Sequence, residues 1–462
     1  LNRRLAPDVY LGIAPIELAP EGARVGEVRE GLADAGEHCV VMRRLPAGRD
    51  ALSLLGRGEL RPEALDRVAE RVAEFHARHA LGAPAPFSPE SWLARCTQPV
   101  EDNFALLADA AGALFAPELF ERARDAARGF AARHAEHFEA RRRAGRAVDG
   151  HGDLHLQHVW FEEEEEADEP TLVDCIEFSE ALRRIDSAAE VAFLAMDLLY
   201  RGAAGLAARF LRRYARESDD FDLYSVVDYF VSYRAAVRAK VASVAARDPG
   251  IDAAQRAGAA ESARRHLELA AAALAPARAG GLVLVCGVVG SGKSSAAEAL
   301  ADRVRGVVVS SDRVRKRMAG LAPTERATAA PGAGIYTREW SERVYAGLLE
   351  RAAPVAASGR LAILDATFAK RAHRGRAREA AGALGVPLRA LETRCRPEVA
   401  RERLAARAVA GTDPSDAGPE LYARSVAGYE PIGADEGLDL ERIDTSDPGW
   451  REALARWARR WG

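Results

Sequence analysis

Eight consecutive residues, Gly287-Val288-Val289-Gly290-Ser291-Gly292-Lys293-Ser294, set glycines, a lysine and a serine at the spacing of a phosphate-binding loop. Glycines let backbone N–H groups close around phosphate oxygens, the lysine reaches the β and γ phosphates, and the serine hydroxyl holds a divalent metal. Gly287, Gly290, Ser291, Gly292, Lys293, Ser294 and Ser295 are therefore the candidate ligands of ATP or another NTP, with Mg2+ or Mn2+, and Ser294 is the first candidate for the metal. Lysine occurs only at positions 240, 293, 316 and 370, so finding one inside such a motif carries weight.

Phosphoryl transfer to an alcohol needs a group that takes the hydroxyl proton. Asp312 follows the apolar run Val307-Val308-Val309-Ser310-Ser311 and is the candidate base at a strand end. Arg315 lies three residues on, on the same helical face, where it is expected to grip a phosphate of the acceptor. Arg313, Lys316 and Arg317 read equally well as a solvated face. Leu361-Ala362-Ile363-Leu364-Asp365-Ala366-Thr367 has the form of a strand whose terminal Asp365 contacts the metal, with Thr367 in the same cleft. Arg403 and Arg407, spaced i,i+4, suit a lid helix that offsets charge on the transferring phosphate. Tyr336, Arg338, Trp340 and Tyr345 are candidates for a basic groove with a stacking aromatic, although packing explains two or more of them as well.

The elements that must position these groups read as strand, loop and helix in repetition. Leu282 to Cys286, Val307 to Ser310, Leu361 to Leu364 and Leu388 to Thr393 are short apolar runs between helical segments, which predicts a parallel sheet with flanking helices in an α/β C-terminal domain over 282–462. The small, non-periodic stretch 276–281 is the expected linker. Residues 1–275 predict an α+β, mostly helical domain: strands within 7–60, a helix from Pro62 with Leu65, Val68, Val72 and Phe75 at helical spacing, and further helices to about 145 and over 187–274. Between these helical stretches lie His151-Gly152-Asp153-Leu154-His155 and Leu172-Val173-Asp174, separated by the acidic run Glu162 to Glu166, expected to be a solvated hairpin loop.

A chain of 462 residues predicts two or three compact units. An apolar fraction of 48% with 29% charged residues, and no window near the roughly 20 apolar residues a membrane helix needs, excludes a helical membrane protein. Net charge of −4 carries no bulk signal for nucleic-acid binding. Five widely spaced cysteines predict neither disulfide nor zinc site and suit a cytoplasmic protein. A first residue of Leu1 instead of Met predicts a fragment or trimmed product; oligomeric state is left open.

Taken together, the loop, the Asp-x-x-Arg after the second strand, the Asp-bearing strand and the Arg-x-x-x-Arg helix resemble the P-loop polynucleotide kinases over most of 281–446. That resemblance implies transfer of the γ-phosphate to the 5′-hydroxyl of a DNA or RNA end, as in nucleic-acid repair, with Asp312 as base, Arg315 clamping the neighbouring phosphate, and Arg403 with Arg407 on ATP. Small-molecule kinases resembling gluconate kinase, chloramphenicol phosphotransferase or zeta toxin share the loop and the Asp-x-x-Arg after the second strand. A sugar, nucleoside or antibiotic is thus the alternative acceptor, and a nucleotide-dependent regulatory or binding module is a third reading. Residues 1–275 resemble the aminoglycoside-phosphotransferase-like proteins of the protein-kinase-like fold. By that resemblance Asp153 acts as base, Asp174 binds magnesium, and His158 stands where an asparagine ligand of the metal is common. The family's phosphate-binding lysine has no counterpart before Lys240; Arg43 or Arg44 are its substitutes, and the glycine-rich start of that lobe is expected to be missing from this chain. The fusion itself resembles the bifunctional aminoglycoside-phosphotransferase and ATP-binding proteins, a label that implies a fold and no antibiotic substrate.

Overall fold

The computed structural model describes residues 1–20, 22–31, 36–162, 169–276, 280–327, 333–410 and 413–461. Most of the acidic run and the centre of the expected linker lie outside these residues. The chain divides into two compact units, Leu1–Ser218 with Val226–Ala275, and Pro276–Gly462 with the short segment Asp219–Ser225.

The first unit is α+β. Strands β1 (Tyr10–Ala19), β2 (Gly22–Val25) and β3 (His38–Met42) form an antiparallel sheet in the order β2-β1-β3. Helices α1 (Ala51–Gly56), α2 (Pro62–Arg78), α3 (Pro89–Ala108), α4 (Pro117–Arg133) and α5 (Ala135–Arg143) follow. In α2, Pro62 opens the helix and Leu65, Val68, Val72 and Phe75 are buried along one stripe, as their spacing predicts. Two small antiparallel pairs carry the loops of interest: β4 (Ala147–Asp149) with β7 (Arg184–Asp186), and β5 (Val159–Phe161) with β6 (Pro170–Leu172). The helices α6 (Glu180–Arg183), α7 (Ser187–Tyr200), α8 (Ala204–Ser218), α9 (Val227–Arg247) and α10 (Ala253–Ala273) complete the unit. Within α7, twelve residues from Ser187 to Leu198 are buried without a break, so this helix runs through the core.

The second unit is a parallel sheet with flanking helices. Its strands are β8 (Gly281–Cys286), β9 (Val307–Ser310), β10 (Leu361–Asp365), β11 (Leu388–Arg394) and β12 (Asp439–Asp444), in the spatial order β12-β11-β8-β10-β9. All four pairings are parallel. All six residues of β8 are buried, which suits a central strand covered on both faces. On one face, Val283 and Val285 pack with Val308, Ile363, Leu391 and Ile443 against α11 (Lys293–Val304) and against Trp450, Leu454 and Trp457 of α17 (Trp450–Ala458). The alternating Leu282 and Leu284 are equally buried and outside that cluster, facing the side where α13 (Arg338–Ala357) and α14 (Arg371–Leu384) pack on β10 and β8. The remaining helices are α12 (Ser311–Met318), α15 (Pro397–Ala410) and α16 (Tyr422–Ala427).

The sheet exceeds the sequence reading by one strand. Asp-Leu-Glu-Arg-Ile-Asp of β12 is mostly charged and, Ile443 apart, partly or fully exposed, so it lacks the apolar run that betrays the other four. Successive strands are added on either side of β8, so the connections leaving β8 and β11 part at a topological switch point. The crevice at the carboxyl ends of the strands there is where open α/β sheets receive ligands.

Candidate nucleotide cradle and a histidine-aspartate centre

The loop between β8 and α11 emerges in that crevice. Gly287, Gly290 and Gly292 take positive φ values of 141°, 77° and 84°. A Cβ on Gly287 would lie 2.5 Å from the Thr393 carbonyl and one on Gly290 would lie 2.8 Å from the Ala400 carbonyl, so both conformation and space demand glycine. A chain of hydroxyls pins the loop from beneath. Ser291 Oγ and Thr393 Oγ1 share a 2.8 Å hydrogen bond, Thr393 Oγ1 donates to the Cys286 carbonyl at 3.1 Å, and Thr445 Oγ1 donates to the Ser291 carbonyl at 2.9 Å.

A cavity of about 400 Å³ opens above the loop. It brings together Gly290, Lys293 and Ser294 of the loop, Asp312 and Arg315 of α12, Asp365 and Thr367 at the end of β10, and Arg407 of α15. Lys293 Nζ donates to the Val288 carbonyl at 2.9 Å, within the loop itself. Burial lowers the pKa of this ammonium, against the pull of Asp365 and Asp312. Asp365 is almost fully buried, and burial pushes its carboxyl up to about 6, although Lys293 and a hydrogen bond from Ser294 draw it down. A serine hydroxyl joined to a buried carboxylate is an all-oxygen pair, and such a pair fits Mg2+ or Mn2+.

Not every residue expected at this site reaches it. Ser291 is fully buried, with its hydroxyl on Thr393 and its N–H donating to the Val288 carbonyl, so it holds the loop in shape and its side chain is no phosphate ligand. Arg403 turns away from the cavity: its Nη1 and Nη2 donate to Thr445 Oγ1 and the Thr445 carbonyl at 2.7 and 2.8 Å. Four residues in a helix advance about 6 Å and rotate about 40° past a full turn, so the paired arginines reach different neighbours. Gly287, Gly292 and Ser295 belong to the loop and the first turn of α11 but do not line the cavity.

The basic string after Asp312 also divides. Lys316 is buried, not solvated, and its Nζ donates to Asp416 Oδ1 at 3.1 Å. Tyr336 donates its hydroxyl to the same carboxylate, and the Arg315 guanidinium lies over the Tyr336 ring at 5.2 Å while Nη1 donates to the Ile335 carbonyl at 2.5 Å. Asp416 thus ties α12 to the segment after α15 along the cavity wall, a role that nothing in the surrounding sequence signals. Of the other aromatics, Tyr345 is buried, stacked on His373 at 3.8 Å between ring centres, and its hydroxyl meets Thr367 Oγ1 at 3.1 Å. Arg343 covers Trp340 at 4.6 Å. Tyr345 therefore packs, whereas Trp340 is half-buried beneath Arg343. Helix α15 is seated on the loop through Ala400 and Leu404, which cluster with Val288, Val289 and Tyr422.

In the first unit, Asp153, His155 and His158 lie together, one potential ligand atom from each within 4.8 Å of the others. His158 Nε2 is 3.3 Å from Asp174 Oδ2, so all three residues expected in this region converge. Burial favours a higher pKa for Asp153, but His155 and then His158 hold its carboxyl down at about 2. Beneath it lies Glu190, which the sequence reading missed inside the buried helix α7. Its carboxyl oxygens accept the Gly152 N–H at 3.1 Å, and burial raises its pKa to about 7. Arg43, one of the two arginines considered in the lysine's place, is ion-paired with Glu162. All five cysteines are free thiols, and among the described residues no helix is long and apolar enough to cross a membrane.

The model of the AAA domain family matches residues 282–432, the stretch that holds the glycine loop, Asp312, Asp365 and helix α15, so this part of the second unit is similar to AAA domains. Over 415 residues the chain is 32% identical to Uncharacterized protein Rv2004c of Mycobacterium tuberculosis (strain ATCC 25618 / H37Rv), covering 89% of this chain and 78% of the relative. The chain belongs to the family of that mycobacterial protein, both units included. Among solved structures, a gluconokinase from Sinorhizobium meliloti 1021 is 21% identical, with a TM-score of 0.28 over 40% of this chain and 97% of its own. A glucosamine kinase is 18% identical, with a TM-score of 0.35 over 54% of this chain and 61% of its own.

Proposed function

We propose that the second unit transfers the γ-phosphate of ATP or another NTP to an alcohol, and that the acceptor is a small molecule of the sugar or nucleoside class. The observation that carries the reading is the single cavity in which Lys293, Ser294, Asp312, Asp365 and Arg407 meet. In this scheme Lys293 and the loop amides hold the triphosphate, while Ser294 and Asp365 hold the divalent metal, which would supply charge neutralisation between phosphates. Asp312 accepts the acceptor's hydroxyl proton, and Lys293 with Arg407 offsets charge on the transferring group. The second reading, the 5′-hydroxyl of a DNA or RNA end, draws on Asp312 and Arg315 lying on one wall of the cavity. Against it, Tyr345 is buried and the half-buried Trp340 has the Arg343 guanidinium over its ring, while Tyr336 on the cavity wall is held by Asp416.

Labelled ATP with Mg2+, offered against a panel of sugars, nucleosides and antibiotics beside a 5′-hydroxyl oligonucleotide, decides between these readings. Transfer to a small alcohol that Asp312→Asn abolishes is the expected result. Labelling of the oligonucleotide alone would overturn the choice of acceptor. Nucleotide binding with no transfer to any acceptor would replace catalysis with a nucleotide-dependent regulatory module.

A further inference from the structure

A cavity in the first unit, apart from the histidine-aspartate cluster, carries an inference independent of the phosphotransfer reading. It measures about 40 Å³ and lies between α3, the turn from α6 into β7, and α9. Trp92, Phe230 and Tyr233 give it an aromatic wall, and Arg95, Arg184 and Arg234 line it as well. A water occupies roughly 10 to 15 Å³ of such space, so there is room for a few waters or for one oxyanion group.

The charges around this space do not balance. Asp186 is the carboxylate among its lining residues, and it is spent inside the fold: Arg141 Nε and Nη2 donate to it at 2.9 and 2.7 Å, and the Ala188 N–H donates at 2.8 Å. Arg184 is paired with Glu180 at 3.1 Å. Arg95 and Arg234 are different, because among the described residues neither forms an ion pair. Arg95 Nη1 donates to the Arg184 carbonyl at 3.5 Å, and its guanidinium lies over the Phe87 ring at 4.6 Å. Arg234 is only 6% exposed. Its Nε donates to the Ala189 carbonyl at 3.1 Å, and its guanidinium lies over the rings of Phe193 and Tyr233 at 4.7 and 5.2 Å. Ring faces offset part of the cost of drying a guanidinium, but a buried charge is ordinarily paired. The acids that feel Arg234 from farther off do not line the cavity: burial keeps Glu190 up at about 7 against the pull of Arg234, and Asp153 lies against His155 and His158.

We propose that this cavity binds a small oxyanion, a carboxylate or a phosphate group, through the guanidinium groups of Arg95 and Arg234. A guanidinium offers planar, forked donors that match either group, and hydrogen bonds between charged partners are about twice as strong as neutral ones. The aromatic wall keeps the surroundings of low polarity, which strengthens the attraction further. An anion here supplies the counter-charge that the fold withholds from Arg234.

The test uses the full chain carrying Lys293→Ala, so that the glycine loop of the second unit does not contribute. Inorganic phosphate is titrated in one arm and acetate in the other, at constant ionic strength made up with chloride, by calorimetry and by melting temperature. One saturable site per chain is expected, with a melting temperature that rises as the site fills. Phosphate alone identifies a phosphate ligand, whereas binding of acetate identifies a carboxylate. Adding Arg234→Met or Arg95→Gln should weaken the bound anion by about 10- to 100-fold and abolish the rise in melting temperature, a response that a purely structural arginine would leave intact. Should the Arg234→Met protein fail to fold by circular dichroism, Arg95→Gln decides, because Arg95 is half-buried at the cavity and has no acid to leave behind. Failure of both anions to bind, or binding that both variants retain at parental strength, would overturn the site.

Discussion

The two regions differ in their charge make-up. In the second unit, Lys293 and the arginines Arg315, Arg407 and Arg424 line one cavity together with Asp312, Asp365, Asp416 and Glu420. In the first unit, Asp153 and Asp174 gather with the imidazoles of His155 and His158. The difference shows that a pair of aspartates does not by itself define a role. What each aspartate does follows from the neighbours that set its charge: burial keeps Asp365 near the point of protonation, whereas two histidines keep Asp153 ionised.

The sharpest way to break this contrast is at the proposed base. Asp312→Asn should lower turnover by about 10²- to 10⁴-fold while nucleotide affinity changes little, measured by single-turnover transfer beside equilibrium binding. Lys293→Ala should instead remove nucleotide binding itself, seen as loss of the calorimetric signal for ATP with Mg2+. If both variants lose binding alike, the division between cradle and base fails.

The first unit makes a different demand, on stability. Glu190 has a folded pKa of about 7 against an ordinary value of 4.5, so between those values the folded protein holds a proton that the unfolded chain has released. Stability therefore falls as pH rises from about 4.5 to about 7, by roughly 3 kcal/mol if no other group moves. Glu190→Gln keeps an acceptor for the Gly152 N–H and should flatten that part of the melting-temperature profile. An unchanged slope would show that Glu190 is ionised in the folded state.

The smallest effect is expected at Arg403. Arg403→Ala deletes two hydrogen bonds to Thr445 and should cost about 1 to 3 kcal/mol in denaturant unfolding with nucleotide affinity reduced severalfold at most. A loss as large as that from Lys293→Ala would return Arg403 to the phosphate.

How much of this was legible depends on whether the signal was local. The loop, the apolar strand before it and Asp365 at the end of another strand are read within a few residues each, because glycine, lysine and a buried strand leave marks in sequence. Asp416 is not, since its partners Tyr336 and Lys316 lie 80 and 100 residues away and meet it only through the fold. Glu190 hides because a helix buried on every side is expected to be apolar, and its carboxylate serves a loop nearly 40 residues earlier. Spacing misled once: Arg403 and Arg407 share a helix but not a destination. In the first unit, the short runs around Asp153 and Asp174 name residues that the fold brings close together, while the hydrogen bond between His158 Nδ1 and the Asp153 carbonyl is set only by the three-dimensional structure.

The hydroxyl chain from Thr445 through Ser291 to Thr393 has a consequence for energetics of recognition. It fastens the loop to residues at the ends of three different strands, so the loop's conformational entropy is surrendered when the sheet folds and not when nucleotide arrives. Association should then proceed with little rearrangement, the incoming phosphates replacing water on donors already aimed at them.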